Sequence, residues 1–418
     1  MDSYFVLCFL SLFILVFGLV SNFVKERLFI SEPIVSILFG MFLGENGIDL
    51  DVKHFATKYT LYTFAKVVLC IQTMTAAMSL PHGYVMRNIK SLVVLIFFVA
   101  MLKYIISFTI VYIFTGFDVK ISFAIAACLT PTDPILSSSI VKSKFADENV
   151  PVRLRHLLSA ESGLNDGIGL ALLFFPFIFQ GNILLNIKTY VFHILIYKCI
   201  FAAILGILIG YISRKALKYC YSNDLVGIES FLIYGIALTF FVLGLMEVLG
   251  ISELIGIFFT GTLFAYDEWF VLETRESRLQ EVTDTLFSSS FFVFFGANIN
   301  FSKISLRYLI SAILILLLRR IIPILLFYKL IPQIHNKKEA LFIGWFGPIG
   351  VGALFYSLFI DRIHNTNTID YVSVIVLTST IAHGLTIPLI KLSYKHDRTF
   401  FHNNIPTRIY TVSNDSGI

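Results

Sequence analysis

The chain has 418 residues, of which 57% are hydrophobic and 14% charged, and its mean hydropathy is +0.83. A soluble domain carries about a quarter charged residues, so this composition excludes an ordinary soluble protein and indicates a polytopic membrane protein. The formal net charge of +5 comes from lysines and arginines in loops beside apolar stretches, which argues against a nucleic-acid partner. The five cysteines are scattered without a CxxC pair, so no disulfide framework, zinc site or cofactor is expected.

Apolar stretches near the length of a membrane-spanning helix recur along the whole chain. They predict an all-α membrane protein with about thirteen transmembrane helices. The first stretch lacks a basic leading region and a cleavage site, so it is expected to be a retained span. The predicted spans lie near residues 4–24, 28–44, 61–80, 91–115, 119–141, 156–180, 189–213, 226–246, 251–266, 284–299, 306–328, 339–360 and 371–390.

The loop lysines and arginines are concentrated in alternate loops and in the tail of residues 393–418. The positive-inside rule then places the N-terminus outside and this short tail in the cytosol. Termini on opposite sides of the membrane need an odd number of spans, which agrees with the thirteen predicted spans. Because the tail is short, we expect it to carry no regulatory domain.

Two predicted spans contain residues that interrupt a helix. The fifth contains LTPTDP at residues 129–134, and the twelfth contains GWFGPIGVG at residues 344–352. Proline biases the residue before it away from the helical region, so Thr130 and Asp133 are predicted to be extended. Unwound backbone survives at membrane depth only when it is buried or lines a wet cavity, and two such breaks are typical of a transporter's central site. A pair of packing kinks is the alternative.

Several ionisable side chains fall inside or at the edges of apolar stretches: Asp133, Glu161, Asp166, Arg319 and Arg320. Charge at this depth is costly, so each is a functional-site hypothesis. Helical spacing places Ser162 and Asp166 on one face, where they offer Na⁺ or Li⁺ hard oxygen ligands. Glu161 lies roughly a hundred degrees away around the helix. We expect it to pair with Arg320 or Arg319, since a lone buried arginine is too costly. Lys66, Lys103 and Lys198 are expected to be structural, at span ends or snorkelling to the interface.

Five motifs in this order carry a family resemblance: TPTDP, ESGLNDGIG, FFGANI, GWFGPIGVGALFY and IAHGLTIP. They resemble the fungal-type plasma-membrane sodium/proton antiporters of the monovalent cation:proton antiporter-1 family, from about residue 10 to 392. The resemblance implies inverted repeats in which spans five and twelve cross as broken helices. It also implies one transmembrane exchanger domain (1–392), a homodimer with dimerisation helices, and a core domain formed mainly by residues 91–180 and 306–392.

The resemblance also implies roles for the residues of the two central motifs. The family's ion-binding aspartate falls on Asp166, which would hold Na⁺, and Asn165 precedes it. Thr132 and Asp133 would supply ligands from the crossing chain and compensate helix dipoles.

The residue that pairs with an arginine falls on Glu161. Its partner falls on Arg320 by the spacing to Pro323, while Arg319 stays open as the alternative.

Further positions carry secondary expectations. Asp267 and Glu268 resemble an acidic pair at the cytosolic mouth, which would attract cations. His383 matches a family histidine that could tune the pH response or serve in packing. Many relatives carry an acid just before the Leu-Pro that ends the third span; here Ser79, or Gln72, must substitute for it.

The resulting prediction is a secondary active antiporter, not an enzyme, that exchanges cytosolic Na⁺ for external H⁺ at the plasma membrane, with Li⁺ and K⁺ as further candidate cations. Asp166 would bind cation or proton in turn during alternating access, in the service of pH homeostasis and salt tolerance. Asn165 cannot titrate, so one cation per proton is the simpler stoichiometry, although Asp133 could add a second site. The alternatives are a K⁺/H⁺ antiporter of the same fold, a cation channel, and an intramembrane aspartyl protease. The absence of a P-loop disfavours an ATP-driven pump.

Overall fold

The computed structural model describes residues 3–28, 30–45, 47–48, 57–133, 150–179, 181–274 and 279–394, and its regular elements there are all helical. The helices are α1 (Ser3–Asn22), α2 (Glu32–Leu43), α3 (Lys58–Met78), α4 (Tyr84–Arg87), α5 (Ile89–Thr115), α6 (Val119–Leu129), α7 (Val152–Phe179), α8 (Ile183–Ser222), α9 (Ile228–Leu249), α10 (Glu253–Phe264), α11 (Trp269–Glu273), α12 (Leu279–Ala297), α13 (Leu306–Leu330), α14 (Lys337–Trp345), α15 (Val351–His364) and α16 (Thr368–Tyr394).

The predicted all-α membrane fold is confirmed. Among the described residues, 8 helices are long and apolar enough to cross a membrane, and α2, α6, α10 and the greater part of α12 are shorter apolar helices. Every predicted span overlaps a helix, although the count of thirteen crossings stays a prediction. Residues 134–141 of the fifth predicted span, and the tail beyond Tyr394, lie outside the described residues.

Glycines allow two pairs of helices to pack with their backbones in contact. In the pair α2 and α12, a Cβ on Gly40 would overlap the carbonyl oxygen of Val293. In the pair α8 and α10, a Cβ on Gly206 would overlap the carbonyl oxygen of Gly256. Close approach through small residues is the usual way in which helices associate in a bilayer, where apolar burial gives little driving force.

Helix α3 packs against α7 and α15 and also against α10 and α12. The first two belong to the predicted core domain and the last two do not. Its middle turns are almost entirely buried, including the polar residues Gln72 and Thr73. Helix α3 therefore carries buried polar side chains next to helices of the predicted core domain, where the site described next lies.

Candidate functional site

The two interrupted spans meet at their breaks. Helix α6 ends at Leu129, and the backbone amide of Asp133 donates a hydrogen bond of 2.9 Å to the carbonyl of Pro348, between α14 and α15. The predicted extended conformation of Thr130 is wrong, because its φ of −73° and ψ of −42° are helical. The hydroxyl of Thr130 donates to the Ala126 carbonyl at 2.8 Å, and this local bond outweighs the steric bias of the following proline.

Asp133 caps the second half of the other broken span. Its Oδ2 accepts a hydrogen bond of 2.8 Å from the amide of Val351, the first residue of α15. A carboxylate at this position satisfies an amide that has no partner within the helix and complements the positive end of the helix dipole. A Cβ on Gly350 would overlap Oδ2 of Asp133, so only glycine fits there.

Arg319 bridges the two breaks from a third helix. Its Nη2 donates to the carbonyl of Gly347 at 2.7 Å and its Nη1 to the carbonyl of Pro131 at 3.3 Å. The side chain is buried, and these carbonyls belong to turns in which the helical bonding pattern has stopped. Arg319 therefore donates its hydrogen bonds to backbone carbonyls at the two breaks and not to Glu161.

Arg320 is the arginine that contacts Glu161. Its two terminal nitrogens donate to the two carboxylate oxygens, each at 2.7 Å, and its Nε donates to the Ile343 carbonyl at 2.9 Å. Both side chains are buried, so the bidentate geometry is needed to offset their desolvation.

Lys103 approaches the same carboxylate from α5. Its Nζ lies 3.7 Å from Oε1 of Glu161, and the side chain is completely buried. The expectation that Lys103 snorkels to the interface is therefore wrong. A lysine near the middle of an apolar helix cannot reach water easily, and here a buried anion offers it a partner.

A network of neutral polar groups joins α7 to the break after α6. The amide of Thr132 donates to Oδ1 of Asn165 at 3.2 Å, and Nδ2 of Asn165 donates to the Thr132 hydroxyl at 2.9 Å. The Thr132 hydroxyl also lies 3.1 Å from that of Ser162. The side chain of Asn165 is thus occupied in holding the crossing chain against α7.

Asp166 follows Asn165 on α7, and its side chain has a buried oxygen without a hydrogen-bond partner among the described residues. The residue is 1% exposed, and Oδ2 has no hydrogen-bond partner in the described part of the chain. The Tyr356 hydroxyl donates to the backbone carbonyl of Asp166 at 2.5 Å. A Cβ on Gly352 would lie 3.0 Å from Oδ1 of Asp166 and 3.8 Å from Leu69 of α3. A buried carboxylate oxygen without a donor is a place for a proton or a cation.

Sequence reasoning missed Thr73. Leu69 and Asp166 both lie within 4 Å of a Cβ placed on Gly352, and Ala76 would be 3.8 Å from a Cβ on Gly163 of α7. Thr73 lies four residues after Leu69 and three before Ala76, so it is on the same face of α3, between these contacts. It is completely buried, and its hydroxyl has no partner among the described residues. Threonine is unremarkable in a membrane helix, so only this contact geometry singles it out.

The two residues expected to substitute for the missing acid have other contacts. Ser79 is exposed at the end of α3, where its hydroxyl donates to the Ala76 carbonyl at 2.8 Å. Gln72 points towards α12, where its Nε2 donates to the Ser288 hydroxyl at 3.4 Å. The structure therefore offers Thr73, rather than either of these, as the polar group of α3 that faces α7.

The acidic pair after α10 lies apart from the Asp166 network. Asp267 forms an ion pair of 3.2 Å with Lys218, while Glu268 accepts a hydrogen bond of 2.6 Å from the backbone amide of His82. Each acid thus has a structural contact as well as the proposed role in attracting cations.

His383 of α16 supports the end of α14. Its Nε2 lies 2.9 Å from the carbonyl of Trp345, the last residue of α14, and its Nδ1 lies 2.8 Å from the Ser379 carbonyl. The Ser379 hydroxyl in turn accepts from the Ile349 amide at 2.8 Å. These contacts hold the second break in place, which supports the packing role for His383.

Comparison with known proteins gives consistent results. The family model "Sodium/hydrogen exchanger, transmembrane" matches residues 11–391. The chain is 34% identical over 362 residues to Na⁺/H⁺ antiporter 2 of Zygosaccharomyces rouxii, an alignment that covers 82% of this chain and 44% of that protein. It is 28% identical to the Na⁺/H⁺ antiporter of Schizosaccharomyces pombe, covering 90% of this chain and 88% of that one.

The fold is also similar to a solved structure. The sodium proton antiporter MjNhaP1 of Methanocaldococcus jannaschii matches with a TM-score of 0.69 at 19% identity, covering 93% of this chain and 99% of that one. At this identity the likeness concerns the fold alone. The chain spans 44% and 36% of the length of the Zygosaccharomyces rouxii and Saccharomyces cerevisiae antiporters that it matches.

The fit of Gly350 against Asp133 can be tested by adding one methyl group. Gly350→Ala should lower the midpoint of thermal unfolding in detergent, because the new Cβ displaces the Asp133 carboxylate from the amide of Val351. Overpacking of this kind costs about 1–3 kcal/mol. The control is Gly18→Ala on α1, where no atom lies within 4 Å of the new Cβ. Equal midpoints for the two variants would contradict this account.

A double-mutant cycle can test which arginine pairs with Glu161. Arg320→Ala leaves the Glu161 carboxylate buried without its bidentate donor, a loss of about 3–5 kcal/mol for a pair of this kind. Adding Glu161→Gln should recover part of the loss, with a coupling energy of about 0.5–3 kcal/mol. The control cycle uses Arg319→Ala in place of Arg320→Ala. The hydrogen bonds of Arg319 go to backbone carbonyls and not to Glu161. A coupling with Arg319 as large as that with Arg320 would refute the assignment.

Proposed function

This chain belongs to the sodium/hydrogen exchanger family, in its fungal-type branch, and we propose that it is a secondary active antiporter that exchanges cytosolic Na⁺ for external H⁺. The observation that carries the proposal is the buried Asp166, whose Oδ2 has no donor among the described residues and lies beside two touching helix breaks. The membership makes the chain a multi-pass membrane protein of a transporter family. For its location we propose the plasma membrane.

Asp166 can bind a proton or a cation, but not both. Na⁺ is a hard ion that prefers oxygen ligands, and the side chains on this part of α7 offer the Asp166 carboxylate and the Ser162 hydroxyl. Thr132 contributes a further hydroxyl from the crossing chain. Each bound ion neutralises the same single negative charge, and Asn165 cannot titrate. One Na⁺ per proton is therefore the proposed stoichiometry.

Alternating access would move the core domain as one body. Glu161 of α7, Arg320 of α13 and the Ile343 carbonyl of α14 are joined by direct hydrogen bonds, and all three lie within residues 91–180 and 306–392. Arg319 and Asp133 join the two breaks inside the same ranges. We propose that this bonded unit moves against the remaining helices, which form a homodimer, and so exposes Asp166 to each side in turn.

The same contacts argue against the rival functions. An intramembrane aspartyl protease needs two aspartates facing one substrate, whereas Oδ2 of Asp133 is committed to the Val351 amide. A channel would conduct Na⁺ without moving protons, and a K⁺/H⁺ antiporter would differ only in the preferred cation. Exchange measured with Na⁺, Li⁺ and K⁺ separates these possibilities.

Asp166→Asn should abolish exchange while the protein still folds. The amide cannot release a proton and binds Na⁺ poorly, yet it has nearly the shape of the carboxylate. Purified protein in proteoliposomes would be tested for proton movement driven by a Na⁺ gradient, with a pH-sensitive dye. The control is Asp370→Asn, which removes an ion pair with Lys303 of 2.7 Å at the protein surface. Proton flux retained by the Asp166 variant, or Na⁺ entry into wild-type vesicles without proton movement, would refute the proposal.

Thr73→Val should weaken Na⁺ binding without a loss of folding, because the hydroxyl has no partner within the described chain. We expect the KM for Na⁺ to rise roughly tenfold, the effect of losing about 1.4 kcal/mol of binding free energy, while Thr73→Ser stays near wild type. The control is Thr239→Val in α9, whose hydroxyl bonds to the Gly235 carbonyl at 2.8 Å. An unchanged KM for Thr73→Val would remove Thr73 from the proposed site.

A further inference from the structure

A second group of charged side chains lines a cavity of about 180 Å³ outside the Asp166 network. One wall comes from helices outside the predicted core domain and carries Tyr62, Lys66, Lys198, Glu247 and Glu253. The opposite wall comes from core helices α7 and α15. The cavity therefore lies between the two groups of helices that move against each other in the proposed mechanism.

One residue of the cavity lining contacts Asp166. Tyr356 lines the cavity, and its hydroxyl donates to the Asp166 carbonyl at 2.5 Å. The turn between α9 and α10, with Gly250 and Ser252, also lines the cavity. The positive-inside rule predicts this turn to be external, so the cavity leads from the external side towards the exchange site.

Lys66 places an ammonium group inside this cavity. Its Nζ lies 2.5 Å from a carboxylate oxygen of Glu247 and 4.8 Å from the centre of the Tyr62 ring. The Phe355 ring centre is 6.0 Å away on the core side. A carboxylate and aromatic faces are the groups with which proteins hold a cation. The chain thus fills a cation-binding environment with a cation of its own.

Glu253 adds a second carboxylate to the same environment. It lies in the first turn of α10 and lines the cavity together with Lys66 and Glu247. Lys198, on the same wall, has its Nζ 5.9 Å from the Phe174 ring centre. Of the two lysines, Lys66 is the one bonded to a carboxylate of the cavity.

We propose that Lys66 is a tethered competitor for external cations: it occupies a cation site formed by Glu247 and Glu253 and so hinders external Na⁺ from reaching Asp166. A Na⁺ ion entering the cavity must displace the ammonium group of Lys66 or share the two carboxylates with it. Two positive charges held in the same small cavity repel each other. The inference rests on the proposed exchange function. It adds a residue that sets how strongly external Na⁺ competes with external H⁺ for Asp166.

The test is inhibition by external Na⁺ of the initial rate of proton uptake into right-side-out membrane vesicles loaded with Na⁺, followed with a pH-sensitive dye inside the vesicles. Lys66→Met should lower the half-inhibitory concentration of external Na⁺ roughly tenfold, or about 1.4 kcal/mol, while Lys66→Arg stays near wild type. Lys198→Met is the matched control and should change it much less. An unchanged value for Lys66→Met, or an equal change for Lys198→Met, would overturn the proposal.

A second variant decides the matter if Lys66→Met does not fold. Glu253→Gln keeps the ion pair between Lys66 and Glu247 but removes one carboxylate, so external Na⁺ should inhibit less strongly than in wild type. An unchanged half-inhibitory concentration in Glu253→Gln would also overturn the proposal. The absence of any exchange in wild-type vesicles would instead refute the antiport function itself, so the two failures are distinguishable.

Discussion

An interrupted helix leaves backbone amides and carbonyls without partners, and the interior of a bilayer offers no water to replace them. In this protein, side chains from neighbouring helices supply those partners. Asp133 accepts from the first amide of α15, Arg319 donates to carbonyls of both breaks, and Ser379 accepts from the Ile349 amide. The crossing of the two broken helices is therefore held together by hydrogen bonds from side chains. Removing any of these side chains leaves a buried backbone group without a partner, which lowers the free energy of unfolding by about 1–3 kcal/mol.

The same constraint explains why so many charges are buried together. Arg319 and Arg320 are adjacent at the turn in α13, so one can reach the breaks while the other reaches Glu161 of α7. Lys103 adds a second positive group next to the Glu161 carboxylate. Asp133 is bonded within this set of contacts, whereas Oδ2 of Asp166 has no hydrogen-bond partner in the described part of the chain. Under the proposed mechanism, the bound ion at Asp166 would change while the bonded groups around it stay fixed.

The sequence was sufficient to predict those features that depend only on the type and spacing of residues. Glycine and proline marked both breaks, and helical periodicity separated Glu161 from the face of Asp166. The spacing to Pro323 favoured Arg320 as the partner of Glu161 but left Arg319 open, because both arginines fall at a local turn within α13 that follows Leu318. The depth of Lys103 and the orientation of Thr73 depend on which helices surround them, so they required three-dimensional contacts.

A tethered lysine in the external cavity would alter the competition between ions without altering the direction of exchange. The direction follows from the two ion gradients and the stoichiometry, which no side chain outside the exchange site can change. Under the proposed mechanism, Lys66 would change the fraction of outward-facing protein that external Na⁺ occupies, and so the rate at which external protons bind to Asp166. A cell in a salty medium gains from such an arrangement because Na⁺ efflux then continues at external Na⁺ concentrations that would otherwise saturate the outward-facing site.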